Sequence, residues 1–285
     1  MKVSIVTISF NQVRFLPRAL ASVLSQDYPD IEYIVVDPGS TDGSRSIIGD
    51  HEAQLARVVL DPDDGPADGL NRGFEVATGD VLAYVNADDV LLPGAVRDAV
   101  GYLAGHPSVD VVYGDGYMVD VDGNILTTIE SSPFNLRRYA YGSVMVLQQA
   151  TFIRRSAFDR TAGFNVANRT CWDGELLTDI AVAGGRLEHM KRMWGAFAIY
   201  PETITGSQRF SSQAVVDLRR IFRKARGREW RASDGLISRL VRLEKWMLSP
   251  GTTLRRLNSA LVGPPPMRLI VADHQRIELV AGESE

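Results

Sequence analysis

Cysteine is nearly absent from this chain of 285 residues, and Cys171 is the only one. A single cysteine excludes an intrachain disulfide and any zinc site that needs a CxxC pair. Long apolar runs are also missing, since none approaches the roughly 18 residues that a membrane-spanning helix needs. The apolar start, Val3 to Phe10, leads into Asn11 and Gln12 and not into a signal-peptide cleavage site. We therefore expect a cytoplasmic protein.

Glycine-rich phosphate loops are absent where two large enzyme classes need them. The segment from Ile8 to Gln12 has no glycine, so GxGxxG does not follow the first predicted strand. Gly65, Gly69 and Gly73 do not have that spacing, and GxxxxGK[ST] does not occur. Nicotinamide-dependent and P-loop chemistry are therefore disfavoured.

The composition is that of an ordinary globular protein, with 45% apolar and 23% charged residues, which excludes disorder and collagen-like repeats. The net charge of −4 is unevenly distributed: residues 1–208 carry −11 and residues 209–256 carry +9. An acidic body with a basic segment suggests two partners. The body would bind a cation or a metal-bound ligand, and the basic segment an anionic surface.

Strand and helix signals alternate in the first half of the chain. Strands are predicted at 2–8, 31–37, 58–60, 81–86 and 109–113, and helices at 14–25, 44–56, 67–77 and 94–104. This order predicts an α/β fold whose mostly parallel sheet is covered by helices on both faces. Beyond residue 110 a hairpin with a two-residue turn at Asp122-Gly123 is predicted over 117–129. Helices are predicted to follow at 156–162, 174–183 and 211–226.

Acidic and polar residues follow the predicted strands, at the edge of the sheet where such folds bind ligands. Asp88-Asp89 offers hard oxygen ligands that could hold Mg²⁺ or Mn²⁺ against a diphosphate, or forms Asx turns before the next helix. Asp37 could accept a hydrogen bond from a base or ribose, or belong to a capping loop. Arg72 could meet a phosphate beside Asp68 and Asn71, or form an i, i+4 ion pair with Asp68.

Asp173 precedes a predicted helix, where it could be the N-cap or a catalytic base. The four histidines are scattered, and none has a metal-ligand spacing to another, so each is interpreted as structural or solvent-facing.

Taken together, these segments resemble the family 2 inverting glycosyltransferases, which have the GT-A fold. The matching segments occur in the family's order within roughly residues 1–205. They are 3–11, 35–43, 64–73, 77–80, 86–89, 149–155, 163–165 and 173–176.

The resemblance implies a role for each matching residue. It implies nucleotide-sugar contacts by Thr7, Ser9, Asn11, Asp37, Asp68, Asn71, Arg72, Asn86 and Asp88. It places Asp88 and Asp89 at a divalent metal, Mn²⁺ or Mg²⁺, in the position of the family's DxD-type carboxylates. On the acceptor and sugar side it places Gln149, Thr151, Trp172 and Glu175. Asp173 matches the base that deprotonates the acceptor hydroxyl, so that one displacement inverts the anomeric centre.

The predicted donor is a nucleotide-diphospho-sugar, with a UDP-sugar favoured, and the acceptor is a glycan, a lipid-linked molecule or a polysaccharide precursor. One departure from the family bears on the metal. Family members often have an Arg-x-His-x-x-Ser pattern, and here Ala198 and Tyr200 replace the Arg and the His. The alternative function is therefore an inactive nucleotide-sugar-binding protein. Nucleotidyl transfer is disfavoured because it normally needs a glycine-rich, basic phosphate loop after the first strand.

Three regions are predicted: a catalytic domain at 1–206, with its nucleotide half near 1–115 and its acceptor half near 116–206, a basic helical extension at 207–262, and a Pro-rich linker with a strand-like tail at 263–285. In the extension, two apolar stripes are each accompanied by basic residues. They either pack on the catalytic domain or lie against the inner face of a membrane as a peripheral contact. A homodimer is a further hypothesis, and no nucleic acid partner is expected.

Overall fold

The computed structural model describes residues 1–203, 210–248, 267–272 and 276–281. The Pro-rich linker predicted at 263–266 lies outside these residues, as do residues 249–256 of the basic segment and the predicted domain boundary at 206. The division into three regions therefore stays a prediction. In the described part of the chain, no helix combines the length and the apolar character that a membrane crossing requires.

Four parallel strands form one half of the central sheet: β1 (Val3–Ile8), β2 (Ile31–Val36), β3 (Arg57–Val59) and β4 (Val81–Asn86). Strands β1, β2 and β4 are β-branched runs buried on both faces, which is typical of parallel strands. Residues 3–8 of β1 pair in register with 31–36 and with 81–86. The carboxyl ends of β1, β2 and β4 therefore lie side by side.

The second half of the sheet is mixed, as the change in pattern after residue 110 predicts. It contains β5 (Val90–Leu91), β6 (Val111–Val119), β7 (Ile125–Ile129), β8 (Thr151–Arg154) and β9 (Leu187–Ala198). The strand order is β3-β2-β1-β4-β8-β6-β9-β5, and β7 pairs with β6 as the predicted antiparallel hairpin. Strand β6 extends past the predicted end at Tyr113, because the first arm of the hairpin is a continuation of the same strand.

Helices cover both faces of this sheet. The described helices are α1 (Leu16–Leu24), α2 (Ser44–Asp50), α3 (Pro66–Val76), α4 (Ala95–Gly105), α5 (Leu136–Ala140), α6 (Arg155–Phe158), α7 (Trp172–Val182), α8 (Ser211–Arg226) and α9 (Ala232–Leu248). Helices α1 and α4 supply apolar side chains to the core on one face. Helices α3 and α7 supply them to the core on the other face. The predicted α/β class, with helices on both faces and a helical C-terminal part, is confirmed.

Two predicted helices are shorter in the structure. The helix predicted at 44–56 ends at Asp50, and a 3₁₀ turn at Glu52–Gln54 follows. The helix predicted at 156–162 is only the single turn of α6. The Thr161 hydroxyl donates to the Phe158 carbonyl at 2.7 Å, and such side-chain bonds compete with helix continuation.

The C-terminal elements pack on this framework. Helix α8 lies against α7 and α5. Tyr141, Phe222 and Val241 form a small buried cluster that joins α8 and α9 to the body. The predicted strand-like tail is a two-stranded antiparallel hairpin of β10 (Met267–Ala272) and β11 (Arg276–Ala281). Its Leu269 and Ile277 are buried in a cluster with residues of β6 and β7.

Candidate functional site

A cleft of about 810 Å³ opens beyond the ends of β1, β2 and β4, which is a volume typical of small-molecule sites. Its walls come from the loops after these strands, the segment before β8, the start of α7 and the end of β9. The predicted site residues that line it are Ser9, Asn86, Asp88, Asp89, Gln149, Trp172 and Asp173. The predicted acidic rim of strand ends is therefore part of the wall of this cleft.

Three polar atoms at the strand ends are buried and lack a hydrogen-bond partner: Ser9 Oγ after β1, Asp37 Oδ2 after β2 and Asn86 Oδ1 at the end of β4. Buried polar atoms are nearly always paired in folded proteins, because an unpaired one costs free energy. Ser9 and Asn86 line the cleft, and Asp37 directly precedes the lining residue Pro38. Such a cluster indicates a polar ligand at this end of the cleft.

Asp37 is held as an ionised carboxylate. Burial by itself would raise its pKa, but hydrogen bonds from Ser40, Arg45 and Gly39 outweigh burial and hold the pKa below the usual range. Its Oδ1 accepts from Ser40 N at 2.8 Å, Gly39 N at 3.0 Å and Arg45 Nε at 3.0 Å. The side chain is fixed through Oδ1, and Oδ2 is left for another donor.

Asp88 and Asp89 have the opposite electrostatics. Burial raises the pKa of Asp88, and burial together with the neighbouring charge of Asp88 raises the pKa of Asp89. Asp89 Oδ2 accepts from Asn86 Nδ2 at 2.7 Å and from Gln149 Nε2 at 2.8 Å. These neutral donors orient the carboxylate without supplying positive charge. The partly buried Arg18 interacts electrostatically with both carboxylates but does not outweigh their burial.

Tyr200, which replaces the family's histidine, lies beside this pair. Its hydroxyl donates to Asp88 Oδ2 at 2.9 Å, and its ring stacks on Phe15 at a centroid distance of 4.8 Å. Burial and the charge of Asp88 raise the pKa of Tyr200, so the hydroxyl stays protonated at neutral pH. By stacking on the Tyr200 ring, Phe15 thus holds the Tyr200 hydroxyl beside Asp88.

Asp173 lies in the first turn of α7 and not at its N-cap, which is Cys171. The interpretation of Asp173 as the cap residue is therefore wrong. Burial raises the pKa of Asp173 against the opposing effect of backbone hydrogen bonds. Tyr84 lies near it, and the neighbouring Trp172 donates its indole N–H to Tyr84 Oη at 3.2 Å. A carboxylate with a raised pKa in a cleft is a candidate general base.

A pair of glycines places Gln149 in the cleft. Gly116 of β6 and Gly195 of β9 are neighbours in the sheet. A Cβ on Gly116 would lie 2.3 Å from Leu147 Cδ2, and a Cβ on Gly195 would lie 2.7 Å from the Gln149 carbonyl oxygen. Only glycine therefore lets the segment before β8 lie flat on the sheet, where Gln149 reaches Asp89.

Two parts of the cleft are lined by residues that the sequence analysis did not predict as site residues. Phe10 lines the donor end with 59% of its surface exposed. The opposite wall is apolar and is formed by Met118, Ile129, Met145 and Phe197. An aromatic residue directly after the first strand could have indicated Phe10. The apolar wall has no local signal, because its members come from β6, β7, β9 and the segment before β8.

Thr7, Asn11 and Thr151 have roles outside the cleft. Thr7 is buried within the sheet, and its hydroxyl is 2.9 Å from Tyr33 Oη. Asn11 has a positive φ of 53°, and its side chain accepts from Thr41 N at 2.9 Å, which ties the loop after β1 to the loop after β2. The Thr151 hydroxyl donates to the Leu147 carbonyl at 2.8 Å. These positions support the frame of the site and do not line the cleft.

Asp68, Asn71 and Arg72 do not line the cleft either. Arg72 Nε donates to Asp68 Oδ2 at 3.0 Å, so the alternative of an i, i+4 ion pair is confirmed. Asn71 holds the backbone of Phe164, with its Oδ1 accepting from the N–H at 2.8 Å and its Nδ2 donating to the carbonyl at 2.8 Å. From this segment the cleft receives Asp63 and the Gly65-Pro66 turn before the helix.

Glu175 faces away from the cleft. It is fully buried between α7 and α8, where Lys224 Nζ is 2.9 Å and Arg220 Nη1 is 3.3 Å from its carboxylate. Asn165 and Asn168 donate to it at 2.8 Å and 2.7 Å. Its assignment to the acceptor side does not fit this position. Asp173 and Glu175 are two positions apart in the helix, which places the two side chains on different sides of it.

The charged side chains that line the cleft bear on whether it can bind a divalent metal ion. Asp63, Asp88, Asp89, Asp173 and Glu202 line it, and its described lining includes no lysine, arginine or histidine. The residues that the structure describes include no cluster of three or more potential metal ligands. Mg²⁺ and Mn²⁺ often bind through one or two carboxylates together with substrate phosphates. Asp88 and Asp89 fit such a shared site.

Comparison with known proteins places the chain among glycosyltransferases. The model of glycosyl transferase family 2 matches residues 4–161. An uncharacterized glycosyltransferase of Mycobacterium tuberculosis is 31% identical over 77% of this chain and 82% of the relative. An uncharacterized glycosyltransferase of Nostoc is 35% identical over 46% of this chain, and that match covers only 41% of the relative's length.

Solved structures share the fold. S. aureus TarS 1-349 in complex with UDP-GlcNAc has a TM-score of 0.65 at 18% identity, with 86% of this chain and 71% of that chain covered. The mannosyltransferase PcManGT from Pyrobaculum calidifontis, in complex with GDP-Man and Mn²⁺, has a TM-score of 0.60 at 20% identity, with 92% and 80% covered. The fold is of the GT-A type, and the chain belongs to glycosyl transferase family 2.

Proposed function

We propose that this family 2 glycosyltransferase transfers a sugar from a nucleotide-diphospho-sugar to an acceptor hydroxyl, with inversion and with a divalent metal. The observation that carries the proposal is the cleft itself. Orphaned buried polar atoms lie at its donor end, two carboxylates with raised pKa values lie within it, and a third such carboxylate, Asp173, lies at the start of α7.

The donor end suits a nucleoside. Asp37 Oδ2 and Asn86 Oδ1 can each accept a hydrogen bond, Ser9 Oγ can donate or accept one, and the exposed Phe10 ring offers a surface on which a base can stack. A UDP-sugar is our first choice. In the structural relatives, TarS is bound to UDP-GlcNAc and PcManGT to GDP-Man.

The diphosphate needs positive charge that the described lining of the cleft does not contain. Asp88 and Asp89 would hold Mn²⁺ or Mg²⁺ there. When bound, the metal offsets the negative charge that develops on the departing nucleoside diphosphate. Asn86 and Gln149 orient the Asp89 carboxylate, and Tyr200 orients the Asp88 carboxylate.

Asp173 would accept the proton of the acceptor hydroxyl as that oxygen attacks the anomeric carbon. The bond to the sugar forms as the bond to the diphosphate breaks, so a single displacement inverts the configuration. Its raised pKa suits the role, because a base is most effective when its pKa is close to the working pH. The packing of Trp172 and Tyr84 beside Asp173 helps to exclude bulk water.

An inactive nucleotide-sugar-binding protein is the second candidate. The observation that favours it is that both carboxylates already accept protein hydrogen bonds, in particular Asp88 from Tyr200, where the family often has a histidine. A binding protein would bind the nucleotide without releasing nucleoside diphosphate from a donor.

One panel separates the two candidates. UDP-, GDP- and dTDP-sugars are added with Mn²⁺, and both the thermal shift and the release of nucleoside diphosphate in the presence of a mixed acceptor extract are measured. The proposal expects stabilisation by one nucleotide class, together with acceptor-dependent release and an inverted product configuration by NMR. Stabilisation without release would favour the binding protein. Neither effect with any donor would contradict both candidates.

A further inference from the structure

Helix α9 has an apolar face that no other described residue covers. Leu236, Leu240, Leu243 and Met247 are 63%, 55%, 54% and 71% exposed. Their spacing of four, three and four residues places them on one side of the helix. Val241 and Asp234, on the opposite side, are 4% and 0% exposed. Exposed apolar patches that a fold does not need for its core often mark binding surfaces.

The opposite face of α9 is firmly attached to the body, so the apolar side is held outward. Arg228 donates to both oxygens of Asp234 at 2.7 Å, and Tyr141 Oη donates to Asp234 at 2.9 Å. The Ser143 hydroxyl donates to the Val241 carbonyl at 3.2 Å. Rotation of α9 to bury its apolar side would break this buried set of hydrogen bonds.

The charges on one flank of the apolar stripe are positive, and Glu244 on the other flank is paired with Arg138 at 2.8 Å. Arg239 and Arg242 are exposed on the flank of the stripe, and residues 210–248 carry ten Lys+Arg against four Asp+Glu. We propose that the outer face of α9 binds the surface of an anionic lipid bilayer. The leucines and Met247 would enter the boundary between headgroups and acyl chains, while Arg239 and Arg242 contact lipid phosphates.

The charge also argues against a second copy of this chain as the occupant. An antiparallel symmetric dimer through this face would set the flank with Arg239 and Arg242 against the same flank of the second copy. Like charges brought together at an interface are unfavourable. An anionic bilayer meets both the apolar and the basic character of the face.

The face is connected to the cleft by a short segment. Ser143 contacts α9, and two residues later Met145 contributes to the apolar wall of the cleft. If the proposed transferase function holds, a bilayer-bound α9 favours an acceptor carried on a lipid. This consequence depends on the proposed function, whereas the bilayer binding itself does not.

Vesicle co-sedimentation of the full-length protein tests the proposal. Phosphatidylglycerol vesicles should bind it at low salt, phosphatidylcholine vesicles should bind it much less, and high salt should weaken the binding. The variant Leu240→Ser with Leu243→Ser should reduce partitioning by roughly tenfold or more. The matched control, Leu60→Ser with Val182→Ser, removes two other exposed apolar side chains and should bind like the wild type.

A charge variant gives an independent measurement that does not depend on the leucine variant folding. Arg239→Gln with Arg242→Gln should lower binding to phosphatidylglycerol vesicles severalfold, while Arg57→Gln with Arg192→Gln, at exposed sites elsewhere, should not.

Wild-type protein that stays in the supernatant at low salt overturns the proposal. So does equal binding of the α9 variants and their controls. A dimer in light scattering that Leu240→Ser with Leu243→Ser abolishes, without vesicle binding, would make the face an interface between copies. Nucleotide thermal shifts on the same samples report on the proposed transferase function separately.

Discussion

Two groups of carboxylates, one in the cleft and one between α7 and α8, differ in what surrounds them. In the cleft, burial raises the pKa of Asp88, Asp89 and Asp173. Between α7 and α8, Glu175 is fully buried, but Lys224, Asn165 and Asn168 outweigh burial and lower its pKa. The first set destabilises the ligand-free fold when ionised, and the second stabilises it. In these two groups, the carboxylates with raised pKa values lie in the cleft, and the one with a lowered pKa links two helices. A bonded cation alone does not mark a structural carboxylate, because Asp37 at the donor end of the cleft is also bonded to Arg45.

The sharpest form of this comparison lies within one turn of α7. Asp173 faces the cleft, and Glu175 faces α8. The two residues are close in sequence but face different surroundings. Substitution of Asp173 should therefore affect activity, and substitution of Glu175 should affect stability.

Asp173→Asn should give the largest effect. The amide keeps the shape of the side chain but cannot accept the acceptor's proton, so transfer should fall by roughly 10² or more. Nucleotide affinity and the melting temperature should not fall. The measurements are kcat, nucleotide binding by calorimetry and thermal unfolding, with the exposed Asp159→Asn as the control. Equal losses in binding and rate would give Asp173 a structural role.

Glu175→Gln should lower the free energy of unfolding by about 2 kcal/mol, because Lys224 and Arg220 lose a buried carboxylate and keep only Asp179 and Asp217 as partners. Urea denaturation measures the loss. Asp179→Asn, in the same helix and also paired with Lys224, is 22% exposed and should cost less than about 1 kcal/mol. A Glu175 variant that is as stable as the wild type would show that the two regions do not differ in the way described.

Asp89→Asn should remove the effect of metal on nucleotide binding. In the wild type Mn²⁺ should tighten UDP binding by about tenfold or more, and in the variant it should have little effect, because one of the two carboxylate ligands is gone. Titration calorimetry with and without Mn²⁺ measures this. Asp63→Asn, at another carboxylate of the cleft, should retain the metal effect. Loss of the metal effect in both variants would indicate general electrostatics and not a site at Asp88 and Asp89.

The smallest effect concerns stability and pH without ligand. A carboxylate whose pKa is raised in the folded state stabilises the fold less as the pH rises from its unfolded-state pKa through its folded-state pKa. Asp89→Asn should therefore be more stable than the wild type at neutral pH. The difference should shrink as the pH falls through the raised pKa of the pair. Thermal unfolding across this range, without nucleotide or metal, checks the sign. A variant that is less stable at neutral pH would contradict the raised pKa of Asp89.

Local patterns predicted the order of elements well. Helix α8 covers 211–226 in both the prediction and the structure. The hairpin forms where it was predicted, but residues 120–124 connect its strands instead of a two-residue turn. The strand ends also predicted Ser9, Asn86, Asp88 and Asp89 as cleft residues, because the carboxyl ends of neighbouring parallel strands must lie together. These features depend on residues close to one another in the chain.

The sequence by itself determined the family, the α/β class and the acidic edge of the sheet, because each depends on short segments in a fixed order. Only the tertiary structure decided which side chains face the cleft and which carboxylates have a cation. Thr7 and Arg72 lie in matching segments but point elsewhere, since side-chain direction depends on the packing of the strand or helix. Gln149 reaches Asp89 from 60 residues away, and Glu175 obtains its positive charge from α8. The electrostatics of a buried carboxylate are set by whatever the fold brings beside it, and no local pattern encodes that neighbour.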